Sequence, residues 1–158
     1  MKELEVQIVK LEPLRVVKTL GFGPNPEELA WKKLEGWFRQ NNIVENLKAH
    51  RFFGFNNPGP TPGSPNYGYE QWATTEEKPA GELEIMDFPG GLYAVTHCKL
   101  ANITETWRQL VLWRENSPYQ TGYHQWLEEC LTPEIFLTDT GIAPEEAEFK
   151  LYLPVKQD

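Results

Sequence analysis

A chain of 158 residues with a formal charge of −8 is long enough to bury its own core, and too acidic to grip nucleic acid through a basic stripe or a membrane through a polybasic anchor. Its 40% hydrophobic and 24% charged residues read as a globular domain, with no run approaching a membrane span and no apolar leader at the N-terminus. The two cysteines, Cys98 and Cys130, form neither a CxxC pair nor a disulfide framework, so a reduced, cytoplasmic protein is expected.

Residues 4–20 alternate in part and are rich in β-branched side chains, which predicts a strand interrupted near Glu12-Pro13. The turn-rich GFGPNP at 21–26 leads into a helix. There Asn25 is the expected cap, Pro26 fits the first position and Glu28 completes a capping-box pattern. Leu29, Ala30, Trp31, Leu34, Trp37 and Phe38 form its apolar stripe, and it should end near Asn41-Asn42. HRFFGFNN at 50–57 and YGYEQWATT at 67–75 read as a hairpin around the Pro- and Gly-rich loop 57–66, and EEKPAGE at 76–82 closes the first half.

The second half repeats the plan. Residues 83–100 predict a strand broken at Pro89-Gly90-Gly91. Asn102 and Glu105 mark the next helix, whose stripe is Ile103, Trp107, Leu110 and Val111 and whose end is marked by Pro118. HQWLEECLT at 124–132 and EFKLYLPV at 148–155 are strands flanking a polar, partly structured segment. Each helix also carries two Trp six residues apart, Trp31 and Trp37, then Trp107 and Trp113. The expected fold is a single α+β domain, a duplicated strand–helix–strand–strand unit. Its pseudo-repeats span about 1–78 and 79–158, with antiparallel-rich sheets, two main helices on one side and a groove between the halves.

The opening LEPLRVVKTLGFGPNPEELAWKKLEGWF, the YGYEQW strand, FPGGLYAVTHCKL, WLEECL and the closing FKLYLPV, taken in this order, resemble GyrI-like domains, the effector-binding domains of AraC-type and multidrug-sensing regulators. The resemblance covers nearly the whole chain. It implies a pseudo-twofold domain with a central ligand cleft, and a stand-alone member. With strand one starting almost at Met1 there is no room for a fused helix-turn-helix, so no direct DNA binding is expected. It further implies that Glu128 matches a family glutamate on the pocket floor that meets cationic drugs.

Strand alternation puts Trp126, Glu128 and Cys130 on one face and Leu127, Glu129 and Leu131 on the other. One glutamate of the pair therefore points inward, and alternation alone leaves open which. Glu70 shares a face with Trp72, either as a second cleft carboxylate able to act as base or partner, or as an ordinary cross-strand polar contact. Trp72, Trp113 and Trp126, with Tyr69, Tyr119 and Tyr123, are the candidate cleft lining, and Phe55 fits core or pocket. Trp31, Trp37 and Trp107 lie on helix stripes and are assigned to core. His50, His97 and His124 lack metal-ligand spacing, and Cys130 has no evident base, so neither a metal nor a cofactor is expected.

The leading expectation is the binding of bulky aromatic, cationic small molecules, as a sensor or sequestering protein, with no membrane partner. The alternatives are a hydrolase that opens cyclopropane-bearing genotoxins with Glu128 or Glu70 as base, and a gyrase-inhibitor-like role with a protein partner. The last rests on the resemblance alone.

Overall fold

The computed structural model describes residues 4–41, 44–75 and 83–157. The predicted Glu12-Pro13 break separates β1 (Gln7–Leu11) from β2 (Leu14–Gly23). Helix α1 (Pro26–Gln40) follows, then a 3-10 turn at Val44–Ala49 and the hairpin β3 (Phe52–Asn56) and β4 (Tyr67–Thr74). The second half has β5 (Glu84–Phe88), β6 (Gly91–Lys99), α2 (Ile103–Glu115) and the two-residue β7 (Gln120–Thr121). It ends with β8 (Leu127–Cys130), the single turn α3 (Glu134–Leu137) and β9 (Glu148–Lys156). The segment expected to close the first half, 76–82, and the Asn42 end of the first helix lie outside the described residues.

The helix starts differ from expectation in one respect. Pro26 occupies the first turn of α1, but neither Asn25 nor Asn102 makes a side-chain capping bond. Glu28 instead faces solvent and pairs with Lys32. Acidic residues in the first turn, Glu27 and Glu28 of α1 and Glu105 of α2, complement the positive helix ends.

All strand pairs are antiparallel, in the order β1-β6-β9-β8-β3-β4-β2-β5, with β7 beside β9. The order is a palindrome of the two halves. β3 meets β8 at the centre, β4 corresponds to β9, β2 to β6, and β5 to β1. The sheets of the halves are thus one continuous sheet, joined where Phe52, Phe53 and Gly54 pair with Cys130, Glu129 and Glu128.

The two kinks curl this sheet. β1 pairs with β6 through Leu11↔Gly91, and β2 pairs with β5 through Leu14↔Phe88. The broken strands therefore run alongside each other across both kinks, which brings the two ends of the sheet together. The concave face fills with Leu11, Val16, Phe53, Phe55, Trp72, Phe88, Tyr93, Val95, Leu127 and Tyr152. The convex face carries α1 and α2 over Val17, Phe52, Ala73, Ala94, Cys130, Phe149, Leu151 and Leu153. A sheet buried on both faces needs apolar residues at successive positions, which is why Val16-Val17 and Phe52-Phe53 occur as pairs.

Gly90 is where the kinks touch. Its φ is +78°, and a Cβ there would run into the Leu11 carbonyl oxygen and the Glu12 backbone. Replacement Gly90→Ala combines a left-handed backbone with a clash against main chain and should destabilise the fold by about 3 kcal/mol. Urea denaturation at neutral pH measures this, and an unchanged midpoint would show that the kinks can separate without cost.

Candidate functional site

Helix α1 packs on β2 and β4, and α2 packs on β6 and β9, so a gap lies between them over the central seam of the sheet. The gap is a cavity of about 370 Å³. Glu27 and Trp31 line it from α1, and Ile103, Thr104 and Trp107 from α2. Its floor is Tyr67 and Tyr69 of β4, Glu128 of β8 and Phe149 of β9, while Asn56 and Pro60 reach it from the β3–β4 loop side. Phe136 of α3 also lines it and stacks on Trp31, with ring centroids 4.9 Å apart and planes 14° from parallel. A wider depression of about 570 Å³ beside β6, with Glu5, His97 and Lys150, mixes charges of both signs and shows no aromatic wall among the described residues.

Both oxygens of Glu128 are engaged. Tyr69 OH donates to Oε1 at 2.9 Å and Trp107 Nε1 donates to Oε2 at 2.7 Å. Burial pushes the Glu128 carboxyl pKa upward, opposed by the Trp107 and Tyr69 hydrogen bonds and reinforced by the charge of Glu27. A second carboxylate sits in the same cavity: Tyr67 OH donates to Glu27 Oε1 at 2.6 Å. Burial and the Glu27 bond push the Tyr67 phenol up to about 12, and burial with Glu128 raises Tyr69 as well, so both phenols remain protonated donors near neutral pH. Among the described lining residues there is no Lys, Arg or His.

Glu129 takes the opposite course. Alternation sends it to the concave face, where Arg51 Nε and Nη2 donate to its two oxygens at 2.8 and 3.1 Å. Tyr152 OH adds a bond of 2.6 Å to Oε1, and the guanidinium also lies over Phe53. Of the neighbouring glutamates, one is completed by an internal cation and the other faces a cavity without one.

The candidate lining residues divide between places. Glu128 and Tyr69 line the cavity. Trp126 stands behind it, 5.6 Å from the Trp107 ring and 39% exposed. Glu70, Trp72 and Phe55 do not share the cavity. They lie on the concave face, where Trp72 Nε1 donates to Glu70 Oε2 at 2.5 Å, Asn57 Nδ2 donates to Oε1 at 3.1 Å, and Phe55 packs edge-on against Trp72. Of the two roles left open for Glu70, this geometry is that of a structural polar contact. Trp113 and Tyr119 stack on each other near the C-terminal end of α2, and Tyr123 is 91% exposed beside Lys156. Conversely, Trp31 and Trp107, assigned to core by their helix stripes, form facing walls of the cavity. Glu27 and Tyr67 line the cavity without being among the candidates that the sequence offers. A readable signal exists for Glu27, since it lies one helical turn before Trp31 and so on the same helix face.

The fold is shared with several solved structures. The C-terminal domain of EcmrR superposes with a TM-score of 0.71 at 13% identity, covering 98% of this chain and 99% of that one. An integron cassette protein from the mobile metagenome of Vibrio cholerae gives 0.54 at 10% identity, covering 96% and 95%. SAV2435, in a structure bound to tetraphenylphosphonium, gives 0.55 at 13%, covering 97% and 94%. No curated protein matches the sequence. These likenesses show the fold. The family model of Cass2, integron-associated effector binding proteins, matches residues 7–155, and the chain belongs to that family. No helix among the described residues is long and apolar enough to cross a membrane.

A raised carboxyl pKa makes Glu128 a pH-dependent liability. Its contribution to stability is full below the ordinary glutamate value of 4.5 and is lost as pH rises through its own higher value. The stability of Glu128→Gln relative to the native protein should therefore increase as pH rises above the ordinary glutamate value of 4.5. Denaturant melts of both proteins across that range read the difference, and a pH-independent difference would mean that the carboxyl is not perturbed.

Proposed function

We propose that the cavity binds bulky aromatic cations, and that the protein senses or sequesters them. The observation that carries this reading is the state of Glu128, a carboxylate low in an aromatic cavity, held by two neutral donors and lacking a cation. A desolvated carboxylate without a counter-charge is costly, and a cationic guest supplies what Arg51 supplies to Glu129. The indole walls favour the same guest, since ring faces attract cations and flat aromatic surface stacks against them. The volume, about 370 Å³, lies in the range of small-molecule sites. That SAV2435, a protein of the same fold, has been solved with tetraphenylphosphonium supports the choice of ligand class.

Tryptophan fluorescence offers a direct test, since Trp31 and Trp107 stand in the cavity wall. Titration with tetraphenylphosphonium should change the emission saturably, and Glu128→Gln should weaken binding about tenfold to a hundredfold. Binding that is absent, or indifferent to that substitution, would remove the cationic reading.

A second reading is favoured by the raised carboxyl of Glu128, because a carboxylate of increased basicity is a better general base. A neighbour of the same fold from Listeria innocua, with a TM-score of 0.65 at 11% identity, is described as a hydrolase. In this reading Glu128 takes a proton from water while the oxygen adds to a strained ring carbon of a bound cyclopropane, and the cleaved ring bond's electron pair is later protonated. Mass spectrometry of a cyclopropane-bearing alkylator incubated with the protein should then show gain of one water, lost in Glu128→Gln. An unchanged substrate mass would leave binding alone.

A further inference from the structure

Two carboxylates, Glu27 and Glu128, line the cavity. Resting on the proposal that it binds aromatic cations, we propose that it is built for aromatic dications, rigid two-ring molecules with a positive charge at each end, and that Glu27 is the residue that selects them.

The cavity contains two half-sites of the same chemistry. On the α1 side, Glu27 accepts the Tyr67 hydroxyl at 2.6 Å and precedes Trp31 by one helical turn, and all three side chains line the cavity. On the α2 side, Glu128 accepts the Tyr69 hydroxyl at 2.9 Å and the Trp107 indole at 2.7 Å, and these three line it as well. Each half-site offers a carboxylate for charge, a phenol that orients it and an indole face for stacking. The two share one field: Glu27 adds to the upward push on the Glu128 and Tyr69 groups, and Glu128 does the same to Tyr67.

The surroundings of Glu27 suit an anion. It lies in the first turn of α1, where the helix end favours an anion. Its neighbour Glu28 has the same helix end but turns to solvent and pairs with Lys32. On the other face of the sheet, Glu129 has its cation in Arg51, whereas Glu70 accepts only from the neutral Asn57 and Trp72 and lines no part of this cavity. Glu27 and Glu128 both point their charge into the same empty volume. A monocation neutralises one of them and leaves the other facing apolar ligand surface. A dication spanning the gap between the indole walls neutralises both.

The test is a matched pair of ligands that differ in charge and little else: methyl viologen, with a cationic nitrogen in each ring, and the N-methyl-phenylpyridinium monocation, with one. Isothermal titration calorimetry of the full chain in one low-salt buffer should show methyl viologen binding about tenfold or more tighter, the effect of one further ion pair in a partly enclosed site. Glu27→Gln keeps an acceptor for the Tyr67 hydroxyl and should reduce the preference to about twofold or less, while Glu128→Gln should weaken both ligands. The native comparison needs no variant, and circular dichroism melts establish that the variants fold. Equal affinities in the native protein, or a preference that survives Glu27→Gln, would overturn the role of Glu27 while leaving monocation binding intact. If neither ligand binds and tetraphenylphosphonium also fails, the dication proposal falls together with the reading beneath it.

Discussion

The site depends on an absent side chain. Gly54 pairs with Glu128 where β3 meets β8, at the centre of the sheet. A Cβ on Gly54 would overlap the Tyr69 ring and its hydroxyl. Because that position is empty, Tyr69 lies across the seam and places its hydroxyl on Glu128 Oε1. The same seam joins the two halves into one sheet, and the helices of those halves stand on either side of it. The close approach of a ring to a backbone therefore links the continuity of the fold to the orientation of the central carboxylate.

The period of two does the rest. Glu128 and Glu129 are adjacent, chemically identical and sent to opposite faces. On the concave face Glu129 meets Arg51 and Tyr152 in a closed network, with every oxygen bonded and the charge cancelled. On the convex face Glu128 receives hydrogen bonds but no positive charge, and burial raises its pKa. Hydrogen bonds from neutral donors orient a carboxylate and satisfy its lone pairs. They do not offset the full cost of desolvating its charge. On the proposed reading, that residual cost is what a cationic guest offsets, since the described residues lining the cavity include no Lys, Arg or His.

Much of the architecture is legible in the sequence because its signals are local. The kinks at Pro13 and Pro89-Gly90, the paired helices and the closing strand follow from residues adjacent to them. Face assignment within the sheet is less accessible. Alternation separates Tyr69 from Glu70 and Trp72 correctly, but a sheet with two buried faces gives no compositional sign of which face carries a cavity. Trp72 looks like lining and is concave core, and Phe55, which fits either place, is core as well. The helix stripes mislead in the other direction. A stripe marks the face turned toward the sheet, and the margin of that face turns toward the other helix, so Trp31 and Trp107 pack against core and line a cavity at once. Tyr119 sits between α2 and β7 and Tyr123 just after β7, positions set by the returning chain rather than by any periodic pattern.

The duplication also shows how such a cavity acquires direction. The two halves supply matching walls, an indole from each helix at corresponding depth. They do not supply matching charges. Glu27 precedes Trp31 on α1, whereas the residues that line the cavity before Trp107 on α2 are Ile103 and Thr104. The second carboxylate comes instead from the floor, through Glu128 on β8, whose counterpart across the seam is the side-chain-free Gly54. Pseudo-symmetry of the scaffold thus sets an indole from each helix in the cavity wall. The breaking of that symmetry places one carboxylate on α1 and the other on β8. On the proposed reading, a guest in the cavity meets both indoles and both carboxylates. This requires no conformational change in the sheet, because both carboxylates are already fixed by the tyrosines of a single strand.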